Sequence, residues 1–327
     1  MNPDARAGPS RPLVAITGGA GFVGGGLLAA LAARPQQRLR VLVHRTGIVT
    51  PEGSRLEVVP GDLLSGAGLD RLIEPGCVLI NLSYLSQRSP GDNLTAATNL
   101  AEACVQGRAE RLIHCSTAVV AGAASAKVID ENTICRPVSD YEKVKLQIEE
   151  ILVERSRACF EVTILRPTAV FGPGGRNLMK LADEVMNGNP LINYLRACLF
   201  NRRSMNLVCL DNVVAALVFL LDARKGTDGQ VFIVSDDDCP GNNYLDVESL
   251  LRQRLRQSPY RTPIVPLPAA LLRALLRLSG RSGVDPEVKF SAGKLTALGF
   301  QRPVSLDDGL EAFARWYKSR PANAPGV

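Results

Sequence analysis

Leu13-Val14-Ala15-Ile16-Thr17-Gly18-Gly19-Ala20-Gly21-Phe22-Val23-Gly24 is a short apolar strand that runs straight into glycines and on into an apolar helical stretch. Gly18, Gly21 and Gly24 stand three apart where the helix begins. Glycine has no Cβ, so the main chain can lie against a pyrophosphate there and offer it bare N–H groups at a helix N-terminus. The run Leu13 to Ala33 carries no charge and follows Arg6 and Arg11, so it imitates a signal peptide or a membrane span. Gly18, Gly19, Gly21, Gly24, Gly25 and Gly26 interrupt it, which suits a strand, turn and helix and spoils a spanning helix.

Working outward, strand-like runs recur at Leu39–His44, Leu56–Val59, Val78–Leu82, Leu112–Ser116 and Val162–Leu165. Helical stretches lie between them: Phe22–Ala33, Leu69–Ile73, Asn93–Gln106 and Asp140–Arg157. That alternation predicts an α/β fold, a Rossmann-type doubly wound parallel sheet whose strands are buried on both faces. After Arg166 the loop Pro167, Gly172, Pro173, Gly174, Gly175 opens a smaller mixed α/β C-terminal lobe. The expected organisation is a flexible leader over 1–10, a dinucleotide-binding domain over 11–166 and a substrate-binding lobe over 167–327, some elements of which return to the first domain. In the lobe, Leu207–Leu210 and Val231–Val234 read as strands. Asp211 reads as the cap of a helix over Val213–Leu221, Asp236-Asp237-Asp238 as an acidic turn, and Leu245–Leu255 as a helix. Leu267–Leu278 sets arginines among leucines at helical spacing, as an amphipathic core helix does.

The chain has 327 residues, 46% of them apolar, enough for one large or two modest domains. A net charge of +6 with scattered Lys and Arg gives a basic solvated surface rather than a nucleic-acid face. Eight dispersed cysteines without a C-x-x-C pair, and only two histidines, support neither a disulfide framework nor a metal site. Reduced thiols in a cytoplasmic protein are expected.

Three further positions carry chemistry. At the end of the second strand, where a carboxylate would accept the ribose hydroxyls, stand Val43, His44 and Arg45. A guanidinium there pairs with a 2′-phosphate and favours NADP(H), with NAD(H) the alternative. Asp62, in Gly61-Asp62-Leu63, either accepts from an adenine amino group or caps the next short helix. Tyr141 and Lys145 lie four apart on a helix, on one face, so an ammonium sits beside a phenol and lowers its pKa. A hydroxyl from Thr117 or Ser116 would hold a substrate carbonyl, Tyr141 would move its proton, and Lys145 would bind the nicotinamide ribose. Lys143, Glu142 and Glu149 read as solvent charges.

From about Leu13 to about Tyr317 the chain resembles the extended short-chain dehydrogenase/reductases, specifically the NAD(P)-dependent epimerase/dehydratase family. The resemblance runs through the glycine turn, Gly61-Asp62-Leu63, Ser116-Thr117-Ala118-Val119-Val120-Ala121-Gly122, the Tyr141/Lys145 pair, Arg166 to Gly174, Leu207–Asp211 and Lys294 to Phe300. It implies that Thr117, Tyr141 and Lys145 are catalytic. Gly18, Gly21, Phe22, Val23, Gly24, His44, Arg45, Asp62 and Leu63 would bind the cofactor, with Leu82, Ser83, Tyr84 and Pro167 near it toward the nicotinamide. Tyr84, Thr117, Asn177 and Arg203 would meet the substrate, and no metal is implied.

Asn201 to Asn212 is similar to a branch of 4-epimerases and 4-ketoreductases of UDP-linked N-acetylhexosamines. Ala121 and Phe171 replace tyrosines usual in the family. Met205 stands where an arginine usually faces the diphosphate, with Arg202 and Arg203 upstream as substitutes. Ala118 and Val119 occupy the places of a dehydratase Asp-Glu pair. The leading expectation is NADP(H)-dependent reduction of a 4-keto group on a nucleotide-linked deoxysugar. The alternatives are a 4-epimerase that retains NAD, a ketoreductase of a non-nucleotide small molecule, and a non-catalytic NADP sensor. A homodimer through Asn93–Gln106 and Asp140–Arg157 is expected, with no nucleic-acid partner and no membrane span.

Overall fold

A computed structural model describes residues 11–45, 47–48, 55–223, 225–268 and 287–320. The leader and nearly all of the Leu267–Leu278 stretch fall outside them. The first half alternates as expected: β1 (Val14–Thr17), α1 (Phe22–Ala32), β2 (Leu39–Val43), β3 (Leu56–Pro60), α2 (Leu69–Leu72), β4 (Val78–Asn81), α3 (Pro90–Gln106) and β5 (Arg111–Cys115). A 3₁₀ turn (Ala118–Ala121), β6 (Val128–Ile129), α4 (Asp140–Ser156), β7 (Glu161–Pro167), β8 (Ala169–Phe171), α5 (Met179–Asn187) and α6 (Pro190–Phe200) follow. The chain continues with β9 (Leu207–Cys209), α7 (Leu210–Asp222), β10 (Gln230–Val234), α8 (Tyr244–Arg254), β11 (Lys289–Phe290), α9 (Gly293–Ala297) and α10 (Leu306–Ser319).

Seven strands form one sheet in the order β10-β7-β5-β4-β1-β2-β3. β1 pairs in parallel with both β2 and β4, so strand order reverses beside it. A crevice must open above such a reversal, because successive crossover helices leave toward opposite faces. β10, expected in the C-terminal lobe, is instead the sheet's edge strand next to β7. Two other boundaries move. α3 begins at Pro90 because Ser89 and Asp92 form a capping box. Helix α7 already begins at Leu210, so Asp211 lies in its first turn and is not its cap.

The described chain forms two compact units, interleaved in sequence. One comprises residues up to 116 with 144–165 and 217–231; the other comprises 117–143, 166–216 and 232 onward. The core of the first lies between the sheet and helices α3 and α4, with Ala15, Leu79, Leu112 and Ile164 meeting Ala97, Leu100, Val144, Ile148 and Leu152. The second unit packs Phe171, Leu207, Val247, Leu251, Leu310 and Phe313 together. In the acidic turn, Asp236 and Asp237 are buried in that second unit while Asp238 is exposed. Asp236 accepts from Cys209 N–H at 3.1 Å and from Arg302 at 3.1 Å, while Asp237 accepts from Asn206 at 2.7 Å and Phe290 N–H at 2.8 Å.

Candidate functional site

The turn after β1 works because of two backbone positions. Gly18 has φ +75°, and a Cβ there would lie 2.8 Å from the Leu82 carbonyl carbon. A Cβ on Gly24 would lie 2.2 Å from the Gly18 oxygen, so α1 can press against the turn only with glycine there. Gly21 caps α1 without any side-chain hydrogen bond, and no acidic residue stands in the first turn. First-turn N–H groups have no intrahelical acceptor, so those of Phe22 and Val23 are free to meet an anion. This arrangement fits the diphosphate of a dinucleotide.

Above the strand reversal lies a crevice of about 350 Å³ in the first unit. Gly18, Gly19 and Ala20 form its floor, His44 and Arg45 one wall, Asp62 and Leu63 another, and the loop Ser83 to Arg88 a third. Of these, sequence reasoning names Gly18, His44, Arg45, Asp62, Leu63, Ser83 and Tyr84, and misses Gly19, Ala20 and the loop residues Leu85 to Arg88. Leu82 is tied to the floor, its N–H donating to Thr17 O at 3.1 Å. Asp62 does not cap α2, whose N-cap is Gly68. Its Oδ1 accepts from Leu64 N–H at 3.0 Å, and Oδ2 lies 3.9 Å from His44 Nε2.

Lys145 is 3% exposed, and its Nζ donates to the Cys115 carbonyl at 3.0 Å, which seats the ammonium at the end of β5. It lies 5.8 Å from the centre of the Tyr84 ring. Burial lowers its pKa, and the Cys115 and Glu149 groups only partly oppose that. Glu149, read as a solvent charge, is 3% exposed, because one turn beyond Lys145 it shares the inward face of α4. Lys143 is exposed and pairs with Asp140 at 3.8 Å. Glu142 closes the start of α4 by accepting from Val138 N–H at 2.6 Å. Tyr141 is 43% exposed in the first turn of the same helix, one turn before Lys145. Thr117 lies beyond β5 as the cap of the 3₁₀ turn, accepting from Val119 N–H at 3.4 Å; the side-chain oxygen of Ser116 is buried and has no partner among the described residues.

Beneath the crevice a row of polar side chains crosses three strands in register: Thr17, Asn81, His114. Asn81 Oδ1 accepts from Thr17 Oγ1 at 2.7 Å and from Ser83 N–H at 3.1 Å. Its amide nitrogen therefore faces His114 Nδ1 at 3.1 Å, which makes that ring nitrogen the acceptor. Burial, then the charge of Lys145, holds His114 well below its ordinary pKa, so the ring stays neutral. Nothing in the sequence pattern marked this row beyond polar residues ending apolar strands.

In the second unit, Asn177 is exposed and its amide donates to Val170 O at 2.7 Å. Arg203 lies over the Phe200 ring at 5.5 Å, and Arg202 is 3.6 Å from Asp246. Met205 packs against that unit's apolar core. Pro167 is buried at the end of β7. No cluster of His, Cys, Asp or Glu among the described residues is arranged to hold a metal, and the cysteines there are free thiols. No helix among the described residues is long and apolar enough to cross a membrane.

The model of the NAD dependent epimerase/dehydratase family matches residues 14–235, a span that takes in the glycine turn, the crevice walls, Thr117, Tyr141 and Lys145. The chain belongs to this family. It is thus an NAD(P)-dependent oxidoreductase of the extended short-chain dehydrogenase/reductase type. Family relatives include a UDP-glucose 4-epimerase of Vibrio cholerae, 26% identical over 92% of this chain and 94% of that protein. Another is a 4-hydroxy-2-methyl-3-oxo-4-farnesyl-3,4-dihydroquinoline-1-oxide ketoreductase of Stigmatella aurantiaca, 24% identical over 95% of this chain and 93% of its own length. Among solved structures, the UDP-glucuronic acid 4-epimerase of Bacillus cereus in complex with NAD has the same fold, with a TM-score of 0.73 at 22% identity, covering 94% of this chain and 96% of that one.

Proposed function

We propose that this family member reduces the 4-keto group of a nucleotide-linked deoxysugar with NADP(H). The observation that carries the cofactor choice is Arg45 at the end of β2, where Val43, His44 and Arg45 line the crevice and the described residues of β2 supply no carboxylate for the ribose hydroxyls; the lining carboxylate, Asp62, follows β3. Reductases exchange a dissociable cofactor at each turnover, and the phosphorylated dinucleotide is the usual cellular donor. When bound, the nicotinamide supplies the hydride that reaches the carbonyl carbon.

The chain's own residues handle the oxygen. The Tyr141 phenol gives a proton to the carbonyl oxygen as the alcohol forms, and Thr117 hydrogen-bonds that oxygen. Lys145, little exposed to water, exerts a field that solvent screens weakly, which favours the phenolate left behind. The Cys115 carbonyl orients its ammonium. Asn177 and Arg203 are the further residues assigned to the substrate. The protein acts as a homodimer joined through α3 and α4, whose half-exposed Val105 and Val153 support that reading.

Two other readings each have an observation in their favour. The Vibrio cholerae relative is an epimerase, a reaction in which the cofactor is not consumed. Met205, in place of a cation, with Arg202 near Asp246 and Arg203 over Phe200, suits an apolar ketone better than a diphosphate. Purified protein is incubated with NADPH and, separately, with a UDP-4-keto sugar, a UDP-hexose or an isoprenoid ketone. Steady loss of NADPH absorbance with the keto sugar alone bears out the proposal. Sugar interconversion without cofactor loss replaces it with epimerisation, and turnover of the isoprenoid ketone alone replaces the substrate class.

A further inference from the structure

The cofactor crevice holds two guanidinium groups. Arg45 reaches it from the end of β2, and Arg88 reaches it from the loop between β4 and α3. Since β1 lies between β2 and β4, the two stand on either side of the glycine turn. Among the described residues neither side chain has a hydrogen bond, ion pair or ring contact. Arg34, Arg38, Arg40 and Arg111 of the same unit each have a carboxylate or carbonyl partner.

The backbone of the loop that carries Arg88 is fixed, while its side chain has no partner among the described residues. Asn93, 3% exposed, accepts from Leu85 N–H at 2.9 Å and donates to Leu85 O and Ser89 O, each at 3.1 Å. Arg88 N–H in turn donates to Leu85 O at 3.0 Å. A cation carried on a fixed backbone spares the cost of ordering the loop when an anion arrives, which leaves only its side-chain rotamers to be ordered. Asp62 is the one carboxylate among the described residues of the lining, and its oxygens face Leu64 N–H and His44. The walls therefore carry an excess of positive charge.

We propose that Arg88 is a second cofactor-anchoring residue, whose guanidinium binds a phosphate of the dinucleotide from the β4 side as Arg45 does from the β2 side. A planar guanidinium suits this because it can donate two parallel hydrogen bonds to phosphate oxygens. The inference rests on the dinucleotide reading of the crevice, and on the NADP(H) reading only for which phosphate is bound.

The test measures dissociation constants of NADPH and NADH by fluorescence titration for the full-length wild type, Arg88→Gln and Arg88→Lys, with thermal melting of each. Arg88→Gln is expected to weaken NADPH about tenfold, on the order of one charge-assisted hydrogen bond. The lysine variant should recover part of that, and the melting temperature should not move. A loss confined to NADPH assigns Arg88 to the 2′-phosphate, and an equal loss for NADH assigns it to the diphosphate. Unchanged affinity for both cofactors overturns the proposal. A wild type that binds NADH more tightly than NADPH would end the NADP(H) reading alone, leaving the Arg88 comparison to be read with NADH.

Discussion

The two edges of the parallel sheet use the same residue type in opposite ways. At the edge where strands begin, Arg38, Arg40 and Arg111 are held by partners within the protein. Arg111 opens β5 and donates to the Leu220, Ala223 and Leu221 carbonyls at 2.9, 2.6 and 3.2 Å, closing the C-terminal end of α7. Arg40 meets Glu57 across the β2–β3 register at 2.7 Å, and Arg38 meets Glu74 at 2.7 Å. At the edge where strands end, Arg45 and Arg88 have no partner among the described residues. A cation whose hydrogen bonds are all internal contributes to folding; one left facing a crevice is available to a ligand.

That contrast breaks or sharpens under mutation. The largest expected effect is at the strand-end edge: Tyr141→Phe should lower kcat by about 10²–10⁴, the usual range for a lost acid–base group, with cofactor affinity within about twofold. Stopped-flow turnover and fluorescence titration check it, and retained turnover would remove Tyr141 from the chemistry.

Next is the opposite edge. Arg111→Met should cost about 3 kcal/mol of stability by stranding the α7 carbonyls, while the NADPH dissociation constant stays put. Denaturant unfolding alongside titration reads both, and a cofactor effect without a stability effect would erase the contrast. Gly18→Ala, at a positive φ with the Leu82 backbone 2.8 Å from the new methyl, should cost about 1–3 kcal/mol and weaken cofactor binding as well.

Arg45→Gln should leave the melting temperature unchanged and weaken NADPH about tenfold, or ~1.4 kcal/mol, without touching NADH. The smallest effect concerns Lys145, whose pKa in the folded state lies below the ordinary 10.5 because it is buried. Between those two values the unfolded chain binds more protons, so wild-type stability gains as pH rises through that window. Lys145→Met lacks this gain. Its melting temperature should equal or exceed that of wild type near about pH 7, and the difference should shrink toward about pH 10. A difference that grows with pH would contradict the assigned burial effect.

Local chemistry made much of this legible in the sequence. The β1 turn was readable because glycine spacing after an apolar run has few other uses, and α4 because Tyr141 and Lys145 share a face by simple periodicity. Glu149 was misread because charge suggested solvent, although its spacing from Val144, Lys145, Ile148 and Leu152 puts it on the buried side. Asn93 carried the same signal, falling in line with Ala96, Ala97 and Leu100. Arg88 had no such signal: its place in the crevice depends on a loop folded by tertiary hydrogen bonds. The acidic turn is legible in the sequence, but the burial of Asp236 and Asp237 is not, because their partners Arg302, Asn206 and Phe290 are remote in sequence.

The closing helix α10 seats Leu306, Leu310, Phe313, Ala314 and Tyr317 in the core of the second unit, and β11 runs alongside β6. The segment that carries β11 and α10 is thus a keystone of the second unit. A ribosome must make the chain through Tyr317 before that core can close, whereas every strand from β1 to β5 has been made by residue 115. Synthesis from the N-terminus therefore makes available the strands that flank the dinucleotide crevice well before the residues that complete the other unit.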